Sequence, residues 1–185
     1  GDSITQAGVR EDGYITLMQN NLMTKGLSDK YELVGAGIGG NKIYDLYLRM
    51  EEDVLAQNPD VVVVFVGVND VWHKAGAGTG TDADKFERFY NAVIAKLQAK
   101  NIKVLLCTPG GIGEKTDFSN QQDGDINHYS NIIRKLGKEN DCEIIDLRKE
   151  FLSYNLEHNP KNGDRGILTS DRVHLNATGN KFVAE

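Results

Sequence analysis

The sequence predicts a three-layer α/β sandwich on a mostly parallel sheet, and three observations carry that prediction. The stretch "PDVVVVFVGVND", Pro59 to Asp70, holds an unbroken Val-rich run, the pattern of a strand covered by helices on both faces. Shorter apolar runs occur at "YELVGAGI", "IKVLLCTP" and "CEIIDL". Around them, "KIYDLYLRMEEDVLAQ", "DADKFERFYNAVIAKLQAK" and "DINHYSNIIRKLGKEN" place apolar residues at three- and four-residue intervals, as amphipathic helices do. Strand and helix therefore alternate, and ligands of such folds bind beyond the carboxyl ends of the strands.

Taken in order, "GDSIT" (Gly1 to Thr5) reads as a turn that follows a strand, yet no strand precedes it. "ITQAGVREDGYITLMQNNLMTKG" then supplies a loop and the first helix, and "YELVGAGI" the next strand. The Val-rich run, "IKVLLCTP" and "CEIIDL" follow, each separated from the next by a helix. The expected sheet is five-stranded with the flavodoxin-like order 2-1-3-4-5, whose first strand is central and missing from this sequence. The reading is of one domain over residues 1–185, truncated at its N-terminus, with a final helix that begins in "HLNATGNKFVAE" and is cut short. Two Gly-rich polar loops, Lys74 to Asp82 and Gly110 to Asp125, follow strands; they read either as solvated connections or as pocket walls.

Composition narrows the function classes. A chain of 185 residues fits one domain that buries roughly two-thirds of its unfolded surface. No apolar run approaches the roughly 18 residues of a membrane span. The 21 basic and 27 acidic residues give a net charge of −6 without a Lys/Arg cluster, which argues against a nucleic-acid or anionic-membrane partner. Cys107 and Cys142 lack paired metal-ligand spacing and read as buried, reduced thiols.

Four stretches at expected strand ends carry chemistry: "GDSIT", "GAGIGGN", "GVND" and "DRVH". Each alone has a bland explanation as a helix cap, a turn or a surface histidine. Their joint occurrence in this order is informative. Together they resemble the SGNH hydrolases, the GDSL-type esterase and lipase superfamily, over nearly the whole chain, with Ile4 standing where the family name records Leu. The resemblance implies Ser3 as nucleophile, His174 as base and Asp171 as the carboxylate that orients it. It also implies an oxyanion hole built from the Ser3 and Gly40 N–H groups and the Asn69 amide.

The chemistry needs these types. A serine hydroxyl attacks only when an imidazole takes its proton, and a carboxylate must fix the tautomer of that imidazole. The oxyanion formed on attack must meet donors already in place, and Gly40 without a Cβ lets backbone approach substrate. Asp2, Thr5 and Asp70 read as structural supports of these turns. Trp72 and His73 should overhang the pocket, where an aromatic could stack on a sugar face or acyl chain or else anchor the Gly-rich loop. A metal site at His73 and Asp70 is unpersuasive by spacing, and the chemistry requires no cofactor.

The expected activity is hydrolysis of short acyl esters, such as acetyl esters, of small alcohols or carbohydrates. The absence of a long apolar lid segment disfavours a long-chain lipase. A lysophospholipase or thioesterase of the same superfamily shares these blocks. A non-catalytic flavodoxin-like binding module accounts only for "GDSIT". The residues themselves leave the compartment open, and the resemblance favours a secreted or periplasmic one.

Overall fold

A computed structural model describes all residues from Gly1 to Glu185. Three of the apolar runs form strands: β1 (Val61–Phe65), β2 (Lys103–Cys107) and β3 (Glu143–Ile145). They are parallel and adjacent in the order β1-β2-β3, with Val61 beside Lys103 and Leu105 beside Glu143. These correspond to the last three strands of the expected order. The expected five-stranded sheet is thus a three-stranded ladder in this chain.

"YELVGAGI" forms neither helix nor strand and joins no ladder. No strand lies beside its backbone, since the sheet consists of β1, β2 and β3. It meets the opening residue instead: the Ile38 N–H donates to the Gly1 carbonyl at 3.2 Å. The Val-rich strand also departs from the expected two-sided burial. Strand alternation puts Val61, Val63 and Phe65 on one face. Tyr14 packs edge-on against Phe65 at 6.3 Å, whereas Val61 and Val63 on the same face remain half exposed.

Helices cover the sheet in two layers. On one side α3 (Ile43–Asp53), α5 (Ala83–Gln98) and α6 (Asp123–Glu139) pack together, with α4 (Val68–Ala77) against α6. On the other side α1 (Ser3–Gly8) and α8 (Ala177–Ala184) both pack on α2 (Tyr14–Thr24), and α7 (Leu147–His158) meets α8 through Phe151 and Phe182 at 5.6 Å. The helical spacing explains the core. Phe86, Tyr90, Ile94 and Leu97 of α5 face Ile126, Tyr129, Ile133 and Leu136 of α6, all essentially inaccessible. Each such side chain contributes about 1.5–3 kcal/mol by burial. Cys107 and Cys142 are buried and unbridged, and burial pushes the Cys107 thiol well up.

Two loops differ from their sequence appearance. Lys74 to Ala77 is the last turn of α4 rather than loop. The first half of Gly110 to Asp125 is inside the molecule, with Gly110, Ile112, Gly113 and Glu114 buried. No helix is long and apolar enough to cross a membrane.

Candidate functional site

The residues singled out by motif come from four chain segments that meet at the carboxyl end of the sheet. Ser3 is the first residue of α1, and Asp2 caps that helix through its Oδ1, which accepts from the Ile4 N–H at 2.9 Å. Thr5 shares a hydrogen bond of 3.1 Å with the Tyr14 hydroxyl, which fixes the turn against α2. Asp171 and His174 lie in the turn that precedes α8. Asp171 Oδ1 accepts from the N–H groups of Val173 at 3.1 Å and His174 at 2.8 Å.

Those caps aim the side chains at one another. Ser3 Oγ lies 2.9 Å from His174 Nε2, although the two residues are 171 positions apart. His174 Nδ1 lies 2.6 Å from Asp171 Oδ2. An imidazole protonated at Nδ1 donates to the carboxylate and leaves Nε2 to accept from the serine hydroxyl. Burial alone would raise the Asp171 carboxyl. The N–H and imidazole of His174 and the N–H of Val173 outweigh it and hold that carboxyl below the usual carboxylate range.

The resemblance implies three oxyanion donors, and the structure gives each its setting. The Ser3 N–H opens α1, and a first-turn N–H has no intrahelical acceptor. Gly40 sits at φ +77°, a left-handed conformation that disfavours any side chain. Neither N–H is bonded to another group of the chain. Asn69 lies in the first turn of α4 rather than at the strand end itself, and its amide donates to the Asn41 carbonyl at 3.1 Å. An amide has two N–H donors, so the second remains for a ligand.

The neighbouring residues of α4 line the same region. Trp72 stands edge-on to His174 with ring centroids 6.0 Å apart. His73 borders Gly40: a Cβ added there would come within 4.0 Å of His73 Cε1. Burial, then the charge of Lys42, holds the His73 imidazolium acid below its ordinary value, which favours the neutral ring. Asp70 faces inward and accepts from the Ile43 N–H at 3.2 Å, anchoring the start of α3 behind Gly40.

Two charged residues that the motifs did not indicate hold this arrangement together. Arg49 of α3 donates to the carbonyls of Gly1 and Ala36, each at 2.9 Å, and to Asn41 Oδ1 at 2.7 Å. It thereby ties the Ser3 turn to the Gly40 loop. Glu114 is the second, deep beneath the Asp171 turn. Neither carries a motif; Arg49 is marked by its bonds to backbone carbonyls and Glu114 by its burial.

Comparison with known proteins supports one assignment. The profile of the GDSL-like lipase/acylhydrolase family matches residues 1–182. The chain belongs to that family. An acetylxylan esterase from Geobacillus stearothermophilus is 26% identical to this acylhydrolase over 200 residues, spanning 100% of this chain and 88% of the relative. The crystal structure of an acetyl xylan esterase, AlAXEase, superposes with a TM-score of 0.99 at 78% identity and covers 100% of this chain and 93% of that one. The structure of LAE5, an alpha/beta hydrolase from a lake metagenome, matches with a TM-score of 0.86 at 24% identity, over 100% of this chain and 88% of that one, a likeness of fold. The acylhydrolase is a member of the SGNH hydrolase superfamily and a carboxylic ester hydrolase.

Proposed function

We propose that this acylhydrolase is a serine esterase that removes acetyl groups from carbohydrate esters, acetylated xylan and its oligosaccharides foremost. The hydrogen-bonded series Ser3, His174, Asp171 carries the mechanistic part of the reading. The substrate class rests on the acetyl xylan esterase at 78% identity.

In this reading Ser3 Oγ attacks the acetyl carbonyl carbon while its proton passes to His174 Nε2. Asp171 stabilises the imidazolium that forms. The carbonyl oxygen becomes an oxyanion and accepts from the Ser3 and Gly40 N–H groups and the Asn69 amide. Collapse breaks the bond to the sugar oxygen, which takes the proton from His174 and leaves acetyl-Ser3. Water then loses a proton to His174, attacks the acyl carbon and releases acetate, restoring Ser3. Trp72, packed edge-on against His174, is the aromatic this reading assigns to the sugar face.

A panel of acetylated xylo-oligosaccharides and p-nitrophenyl esters of increasing chain length tests this, run with wild type and Ser3→Ala. The expected result is turnover confined to short acyl groups, loss of activity in Ser3→Ala, and fluorophosphonate labelling of wild type alone. Full activity in Ser3→Ala, or preference for long acyl chains, would overturn it.

A further inference from the structure

We infer that Glu114 is a positioning residue for the reaction, holding the turn that carries Asp171 and His174 at its working distance from Ser3. The inference rests on the reading of Ser3, His174 and Asp171 as the reacting groups.

Residues between α7 and α8 form neither helix nor strand, only an isolated antiparallel bridge between Thr169 and Leu175. A loop of that length without regular structure has little to define it locally. At its turn Arg172 adopts φ +86°, a left-handed conformation that an arginine reaches only when its surroundings impose it. Attack requires near-contact geometry, and about 1 Å of misplacement costs about 100-fold. Something must therefore hold the turn.

Glu114 supplies that hold from behind. Only 2% of it is exposed, and every donor that its carboxylate meets belongs to the loop. Oε1 accepts from the N–H groups of Leu168 at 2.8 Å and Thr169 at 2.6 Å and from Thr169 Oγ1 at 2.8 Å. Oε2 accepts from the Ile167 N–H at 2.8 Å. The backbone adds to the grip: Glu114 N–H donates to Asp164 O at 3.0 Å, and Gly113 N–H donates to Arg172 O at 2.8 Å, at the strained residue itself. Beyond Thr169, the Ser170 N–H donates to His174 O at 2.9 Å, so the clamp passes directly into the histidine backbone. Hydrogen bonds to an ionised group are about twice as strong as neutral ones, which suits a carboxylate for this task.

Glu114→Gln is the sharpest perturbation. With its oxygen toward the three donors, its amide N–H₂ faces the Ile167 N–H, donor against donor. Thr169→Val is the milder variant, removing only the hydroxyl arm. Steady-state kinetics on an acetyl ester, thermal unfolding, and the low-field NMR signal of the proton between His174 Nδ1 and Asp171 are measured for both, with Ser3→Ala alongside. For Glu114→Gln the expected result is a fall in kcat of about 100-fold, KM within a few-fold of wild type, and a lost or broadened low-field signal at temperatures where the variant is folded. Thr169→Val should show the same pattern more weakly, and it decides the matter if Glu114→Gln does not fold. Wild-type kcat and an intact signal in the folded variants would overturn the inference, as would a kcat loss accounted for by the unfolded fraction. Activity surviving in Ser3→Ala would instead overturn the underlying reading of the site.

Discussion

Replacing Asp171 by Asn separates the chemistry of the site from its architecture. Asp171 has two jobs: Oδ1 accepts from the N–H groups of Val173 and His174, and Oδ2 meets His174 Nδ1 at 2.6 Å. In Asp171→Asn the amide oxygen keeps the two backbone bonds and the amide N–H₂ is turned toward Nδ1. The imidazole must then accept at Nδ1 and carry its proton on Nε2, presenting a donor to Ser3 Oγ where an acceptor is required. A wrong tautomer of this kind lowers kcat about 10,000-fold, equivalent to about 5.5 kcal/mol of transition-state stabilisation. Asp171→Ala should lose comparable activity but also the two backbone bonds, which at this exposed turn are worth about 1 kcal/mol together. For a chain of this size that lowers Tm by roughly 2–4 °C. The folded carboxyl is held low, so its contribution is present above the unfolded carboxylate range and is lost only as pH falls through the folded value. The comparison therefore belongs near neutral pH. Kinetics on p-nitrophenyl acetate with parallel thermal unfolding should show both variants inactive and Asp171→Ala the more destabilised, since it loses the two backbone bonds as well as the charge. An Asp171→Asn enzyme within tenfold of wild type would refute the role of the carboxylate in setting the tautomer.

Other outcomes follow from the same geometry. Asn69→Ala removes one proposed oxyanion donor and should cost roughly 100- to 1,000-fold in kcat with a near-native unfolding transition; an unchanged kcat would remove Asn69 from the reaction. Burial pushes the Asp70 carboxyl up to about 6 from its ordinary 3.8, a difference of about 3 kcal/mol against its charged form. The folded state then keeps a proton that the unfolded chain releases, so stability from this group is full below the unfolded value and falls as pH rises toward about 6. Urea unfolding across that window should lose this slope in Asp70→Asn, and an identical slope would contradict the burial argument. Arg148 and Asp123 form an ion pair at 2.8 Å with side chains only 4% and 10% exposed. Arg148→Met strands the carboxylate and should cost roughly 3–5 kcal/mol in urea unfolding, whereas a loss below about 1 kcal/mol would show that Asp123 finds water.

Legibility divided along a physical line. β1 and β2 could be read because an unbroken apolar run has few other uses, and α5 and α6 because their apolar residues repeat with the helical period. "YELVGAGI" could not be settled alone, since a strand exists only with a partner, and no strand of this structure pairs with it. The helix α7 escaped notice because its buried face includes Arg148 and Asn155, which blur the apolar stripe. The proposed site residues Ser3, Gly40, Asn69, Asp171 and His174 were legible as motifs whose order matched the expected strand ends. Arg49 and Glu114 were not. A charged residue that binds backbone and one that faces water look identical in sequence; only the tertiary fold distinguishes them.

That difference bears on how the site is made rigid. The core that sets overall stability is apolar and lies between sheet and helices. The groups that set distances at the site are polar: Arg49 joins the Ser3 turn to the Gly40 loop, Asp70 holds the start of α3, and Glu114 holds the loop leading to Asp171 and His174. Apolar contacts are non-directional and tolerate sliding, whereas a carboxylate or guanidinium with several fixed donors or acceptors defines position in more than one direction. Core truncations such as Ile133→Ala should therefore lower stability by about 2–5 kcal/mol while leaving kcat of the folded enzyme near wild type. Arg49→Met should do the reverse, reducing kcat by a larger factor than its effect on stability would explain. Kinetics and urea unfolding on the two variants check this, and a core truncation that lowers kcat as much as Arg49→Met would show that apolar packing, not these polar anchors, aligns the site.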